Sequence, residues 1–131
     1  MIYRRFMDFH LSGGTNVFMK WYSAQHPAVQ AAFDYALKET AVTEVLDECE
    51  AFKPLTKMHV GLCEIKFSAD DQTGTGIRQF RVLGFWNYNQ ADFVLVGGGK
   101  KPIPKATFDD VMDKQLRFFR YGDGYVDEHK L

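Results

Sequence analysis

Three stretches in the middle of the chain carry hydrophobic side chains at every second position. In residues 61–67, Cys63, Ile65 and Phe67 alternate with Glu64 and Lys66. In residues 78–86, Phe80, Val82 and Trp86 share one face, with Gln79, Arg81, Leu83 and Phe85 on the other. Residues 92–96 are apolar at both parities. A period of two with β-branched and aromatic residues predicts consecutive antiparallel strands, the third of them central because both its faces are apolar. Residues 69–77 read as a long hairpin loop, Asn87-Tyr88-Asn89-Gln90 as a turn, and Gly97-Gly98-Gly99 as the end of the third strand.

The flanks change period. Residues 2–9 alternate imperfectly, Tyr3 and Arg5 against Arg4 and Phe6, and predict an opening strand. Ser12-Gly13-Gly14-Thr15-Asn16 is turn chemistry, with Thr15 or Asn16 as the cap of a short helix through Val17, Phe18, Trp21 and Tyr22 that ends before His26-Pro27. Pro27 suits the first turn of a longer helix, whose stripe is Val29, Ala32, Phe33, Ala36 and Leu37. A second stripe, Val42, Val45, Leu46 and Cys49, is out of phase and predicts a break near Thr40, with Asp47, Glu48 and Glu50 on the outer face of the second piece. Thr107 with Asp110 resembles a capping box for a last helix through Phe108, Val111, Met112, Leu116 and Phe119, stopped by Gly122. Residues 121–131 read as a loosely held tail. The expected architecture is one α+β domain over residues 1–131. Its small antiparallel or mixed sheet, an N-terminal strand plus a three-strand meander, packs with N-terminal helices and a C-terminal helix.

Composition narrows this little. The 131 residues are 46% hydrophobic and 25% charged, ordinary for one domain with a single sizeable core. Apolar runs fall short of a membrane span, and Asp8, His10 and Ser12 interrupt any leader-like segment, so a cytoplasmic location is expected. Cys49 and Cys63 lack metal-ligand spacing and read as small buried apolar residues, and neither a metal nor a cofactor is expected. Charge matters more. The net charge is −1, yet residues 53–105 hold eight Lys and Arg against four Asp and Glu, and the flanks hold eight against thirteen. A basic sheet inside an acidic whole suits an anionic ligand, because local potential rather than net charge steers it. The Gly74-Thr75-Gly76 loop lacks the following helix of a phosphate-cradling fingerprint and carries no weight.

The order strand, helices, three-strand meander, helix resembles the RelE/HigB-like toxins of bacterial and phage toxin–antitoxin pairs, in their longer, phage-type branch within the RelE/ParE superfamily. The matching pieces are Ser12-Gly13-Gly14-Thr15-Asn16-Val17, Trp21-Tyr22 before His26-Pro27, and Gly61-Leu62-Cys63-Glu64-Ile65-Lys66-Phe67. They continue with Phe80-Arg81-Val82-Leu83-Gly84-Phe85-Trp86 and Phe93-Val94-Leu95-Val96-Gly97, followed by Lys100-Lys101. Each piece is short; their order and spacing span nearly the whole chain. The resemblance implies a RelE/ParE-like fold and a metal-independent, ribosome-dependent mRNA endoribonuclease held in check by a small cognate antitoxin. In that chemistry the ribose 2′-hydroxyl attacks the adjacent phosphate, which needs a base, cations for the transition state and a proton for the leaving oxygen.

Carried over residue by residue, Lys66 becomes a base or electrostatic clamp, Arg81 a phosphate fork, and Lys101 a phosphate or leaving-group contact. Arg78, Lys100 and Lys57 are further RNA-binding candidates, and His59 and Tyr121 candidate proton carriers. The chain departs from the pattern at Phe108, where active relatives carry a tyrosine or histidine; Tyr121 and His129 can substitute only if the tail folds back. Each cation has a plain structural alternative: Lys66 paired with a carboxylate, Arg81 bridging the sheet to the last helix, Lys100-Lys101 a solvated loop, and Glu64 the partner of Lys66 or Arg81. Two rival functions follow, a ParE-like gyrase-binding poison and a phage-derived interaction module without catalysis. All three imply a partner surface on the long helices or on the edge strand expected at residues 2–9.

Overall fold

The structure, a computed structural model, describes residues 1–55 and 59–131. Its elements run β1 (Phe6–His10), α1 (Val17–Ser23), α2 (Pro27–Val42), a 3₁₀ turn (Leu46–Glu48), β2 (Phe52–Pro54), β3 (Leu62–Asp70), β4 (Ile77–Asn87), β5 (Asp92–Lys100), α3 (Lys105–Tyr121) and β6 (Tyr125–Glu128). The fold class is α+β: three helices and a six-stranded mixed sheet in the order β2-β3-β4-β5-β1-β6. Six strands replace the four expected. The meander β3–β4–β5 is antiparallel, β1 pairs parallel to β5, and β6 pairs antiparallel to β1. No helix among the described residues is long and apolar enough to cross a membrane.

Two cores flank the sheet. Phe18 of α1 and Val29, Phe33, Ala36 and Leu37 of α2 pack on Phe6, Ile65, Phe67, Phe80 and Val82. On the other face α3 sets Phe108, Val111, Met112 and Phe119 against Leu62, Leu83, Phe85 and Val94. The strand parities are therefore those of the alternation in β3 and β4, and β5 is central as its two apolar faces require. Asn16 caps α1 by accepting from the Met19 amide at 2.9 Å, Pro27 opens α2, and Gly122 ends α3 at φ 64°.

Four expectations fail for physical reasons. The second helical stripe is not an α-helix. The hydroxyls of Thr40 and Thr43 bond back to the carbonyls of Ala36 and Glu39, a pattern that competes with helix continuation. Arg4 donates to the carbonyls of Thr40 (2.6 Å), Thr43 and Glu44 (3.1 Å), closing the helix C-terminus with a cation. The glycine run does not end β5, which continues to Lys100. A side chain at Gly98 would lie 2.5 Å from the Arg81 carbonyl oxygen and 3.0 Å from the Trp21 ring, so glycine lets α1 press onto the strand. Thr107 is not a cap, since α3 already begins at Lys105; Asp110 pairs with Lys114 instead.

The fourth failure is at the C-terminus. The tail is not loose: residues 125–128 form β6 and cover β1, which is buried along its whole length and is not an edge. That removes residues 2–9 as an edge-strand partner surface. Asp8 and Asp127 face each other across the pair, a like-charge juxtaposition that costs stability alone. Each carboxylate is matched to a histidine: His129 Nδ1 lies 2.7 Å from Asp8, and His10 Nε2 lies 2.8 Å from Asp127 and stacks on Tyr125. Asp8 also accepts from Asn16, tying the strand to the cap of α1.

Both cysteines are buried and free. Burial first, then the Glu64 charge, pushes the Cys63 thiol up to about 12, the environment of an unreactive packing residue. Replacing His129 by Ala strands the nearly buried Asp8 carboxylate. Chemical denaturation is expected to show a loss of about 1–3 kcal/mol, with faster amide exchange in residues 125–128; an unchanged midpoint would mean that β6 is not held by this pair.

Candidate functional site

An unbroken ladder from Leu62↔Phe85 to Asp70↔Ile77 places Lys66 directly opposite Arg81. Residues opposite one another share a face, here the one covered by α3. β2 adds Lys53 opposite Glu64. The residue after β5 is Lys101, whose amide donates to the Gln79 carbonyl, and the first turns of α3 supply Phe108. Lys53, Glu64, Lys66, Arg81, Lys101 and Phe108 line one concavity of about 400 Å³. Its charged lining is four cations against one carboxylate.

Arg81 is fixed rather than free. Its side chain is 12% exposed, and its Nε lies 3.5 Å from Oε1 of Glu64, itself 10% exposed. Nη1 donates to the Phe80 carbonyl at 2.9 Å and Nη2 to Oε1 of Gln79 at 3.4 Å. Glu64 is thus the partner of Arg81, and Arg81 does not bridge to α3. Lys53, Lys66 and Lys101 form no ion pair among the described residues. Three uncompensated ammonium groups around an oriented guanidinium make a site for an anion that several donors can grip together, such as a phosphodiester.

The remaining candidates lie elsewhere. Arg78 is opposite Ala69, on the face of α1 and α2, and its Nε donates to Thr75 at 3.2 Å. Lys100 is opposite Phe80 on that same face and is held by Asp71 at 2.7 Å. Lys57 lies outside the described residues. His59 stacks on Phe108 with ring centroids 4.9 Å apart and sits 3.3 Å from Asp109, next to the site without lining it. Tyr121 is 70% exposed at the far end of α3, about 20 Å along the helix from Phe108. The tail does fold back, but it carries His129 to Asp8 on β1, three strands from β3 and on the opposite face. No His or Tyr among the described residues lines the concavity, and no three His, Cys, Asp or Glu side chains among them are grouped to hold a metal ion.

Lys53 is the contributor that sequence reading missed. Its signal was thin: one lysine in Phe52-Lys53-Pro54, a strand three residues long. No family model, curated protein or solved structure matches the chain.

Lys100 anchors the β3–β4 loop through Asp71. The hydrogen bond from the Lys100 ammonium, then that from the Thr73 hydroxyl, holds the Asp71 carboxyl well below the usual carboxylate range. A pKa lowered by folding stabilises above the unfolded value of about 3.9 and loses that contribution as pH falls through the folded value. NMR titration is expected to show Asp71 still ionised where other exposed aspartates protonate, below about pH 4. Lys100→Ala is expected to raise it, with the Thr73 hydrogen bonds holding the remainder of the shift; an unmoved midpoint would rule out the pair as the cause.

Proposed function

We propose that this chain is a RelE/HigB-like toxin of the phage-type branch, a ribosome-dependent mRNA endoribonuclease neutralised by a small antitoxin and acting in the cytoplasm. The observation that carries the reading is convergence. Lys66 of β3, Arg81 of β4 and Lys101 just after β5, which the resemblance singles out, line one concavity with Lys53. The order of elements, a strand, two helices, a meander and a helix, supports it as well.

In this reading a messenger phosphate sits between Lys53, Lys66, Arg81 and Lys101. Lys66 in its neutral form takes the proton of the ribose 2′-hydroxyl. The 2′-oxygen then bonds to phosphorus, and the bond from phosphorus to the 5′-oxygen breaks. Lys101 gives a proton to that leaving oxygen, and the products are a 2′,3′-cyclic phosphate and a 5′-hydroxyl. Arg81, already oriented by Glu64, neutralises the charge that builds on the phosphoryl oxygens. One observation favours a second reading, binding without cleavage as in a ParE-like gyrase poison or an inactive interaction module: Phe108 holds a place on the concavity where it can transfer no proton.

Inducible expression in a bacterial host, with growth and mRNA 5′ ends followed together, tests the reading. Wild type is expected to arrest growth and cut inside translated messages. Arg81→Ala is expected to lose roughly 100-fold or more of the cutting. Lys101→Ala, which breaks no ion pair among the described residues, is the control against misfolding and is expected to lose most of it too. Arrest without cuts moves the function to a binding target; soluble, folded protein without arrest overturns the toxin reading.

A further inference from the structure

His129 is 9% exposed, and its ring makes one hydrogen bond, through Nδ1 to Asp8 at 2.7 Å. Asp8 is 5% exposed, and its second oxygen accepts from Asn16 at 3.1 Å. An ionised carboxylate only accepts, so Asp8 fixes a proton on Nδ1 and leaves Nε2 as the free ring nitrogen. Nε2 has no partner among the described residues. It is not sealed in protein either, since the one buried side-chain atom among them without a partner is Asp92 Oδ1. The ring packs edge-on against Phe18 and Phe33 and lines a cavity of about 540 Å³ between α1, α2 and the residues after β6. This cavity shares no residue with the concavity of Lys66 and Arg81 and lies on the other face of the sheet.

Met19, Tyr22, Tyr35 and Leu37 give the cavity mostly apolar walls. Its one carboxylate side chain among the described residues, Asp34, is already engaged, its two oxygens sharing the Tyr22 hydroxyl at 3.0 and 2.9 Å. Burial first, then that hydrogen bond, pushes Tyr22 up to about 12, so the hydroxyl keeps its proton and its hold on Asp34. Lys38 and Lys130 line the same cavity and form no ion pair among the described residues.

The geometry points to a binding site for a small monocarboxylate with an apolar body, gripped by His129 Nε2 and the two lysines. Small-molecule sites are concave and mostly apolar, with a few convergent polar groups that fix orientation. A nearly buried imidazole whose other nitrogen is held by a carboxylate is such a group. In its protonated form it donates from Nε2 to the ligand's carboxylate, and the ammonium groups supply the remaining charge-assisted bonds. The apolar walls take the hydrocarbon part and disfavour a phosphate, whose heavier charge costs more to bring out of water. The site is independent of the toxin reading.

Titration of the isotope-labelled protein with octanoate, followed by the imidazole nitrogen signals in NMR, tests the assignment. Octanol, acetate and inorganic phosphate are the comparison probes. Octanoate is expected to shift the His129 Nε2 signal while Nδ1 stays nearly still. It is expected to bind about tenfold more tightly than octanol, which lacks the charge, and roughly 100-fold more tightly than acetate, which lacks the body. His129→Asn places an amide where Nδ1 stands, keeping a partner for Asp8, and is expected to lose about tenfold in octanoate affinity. Lys38→Ala, at an exposed helix position, is expected to weaken octanoate about threefold. An unmoved Nε2 signal in wild type overturns the site, whether or not the His129 variant folds. Octanol or phosphate binding as tightly as octanoate, or octanoate affinity unchanged in folded variants, overturns it as well.

Discussion

The register between β3 and β4 is the constraint on which the rest depends. It runs without interruption over nine residue pairs and lies inside the sheet, between β2 and β5. A slip of one residue would turn Ile65, Phe67, Phe80 and Val82 away from α1 and α2 and bring Lys66 and Arg81 into their place. The two hydrophobic cores therefore hold the register, and the register holds the charges. Burial of apolar side chains on both faces decides which way four cations point, although those cations contribute nothing to the burial. Glycines at tight passages serve the same pairing: a side chain at Gly84 would lie 2.1 Å from the Val94 carbonyl oxygen, where β4 and β5 shift register.

Clustering Lys53, Lys66, Arg81 and Lys101 around one carboxylate works against the folded state, since like charges brought together repel. Part of the surface shows the opposite habit. Along α3, Lys105, Lys114 and Arg117 each have an aspartate four residues away, and Lys100 has Asp71. Among the described residues Lys20, Lys38, Arg78, Arg120 and Lys130 form no ion pair either, so what sets the concavity apart is that four cations share one lining with a single carboxylate. Cations gathered at a cost to stability are what a site for an anionic ligand requires.

Much of this was legible in the amino-acid pattern. Wherever a strand lies between two cores, its alternation is enforced by burial, and β3 and β4 read correctly to the face. The parity of β4 already separates Arg78 from Arg81, which are three residues apart and so must point to opposite sides. What did not read were elements defined by their partners. β2 is three residues long and β6 is Tyr125-Val126-Asp127-Glu128, neither with an apolar period. β6 exists because β1 offers an edge and because His10 meets its Asp127 while His129, just beyond it, meets Asp8 of β1. The end of α2 was obscured by Val42, Val45 and Leu46, whose spacing mimics a helix while threonine back-bonding and Arg4 close the real one. Lys53 was hidden with β2, so only three of the concavity's four cations, Lys66, Arg81 and Lys101, stood among the candidates.

The electrostatics of the concavity bear on what kind of chemistry it suits. A site with an arginine held by Glu64, Gln79 and the Phe80 carbonyl need not reorganise when charge develops on a bound phosphate, and such preorganisation is commonly the largest catalytic term. General acid–base transfer adds typically 10²- to 10⁴-fold and depends on a group whose protonation changes near working pH. The lining has lysines and one carboxylate for that role, and Phe108 separates it from the one nearby imidazole, His59. A lining of this kind suits gripping and polarising an anionic ligand more than moving protons. Cleavage that relied on the same residues would respond more steeply to loss of a cation than to a change of pH.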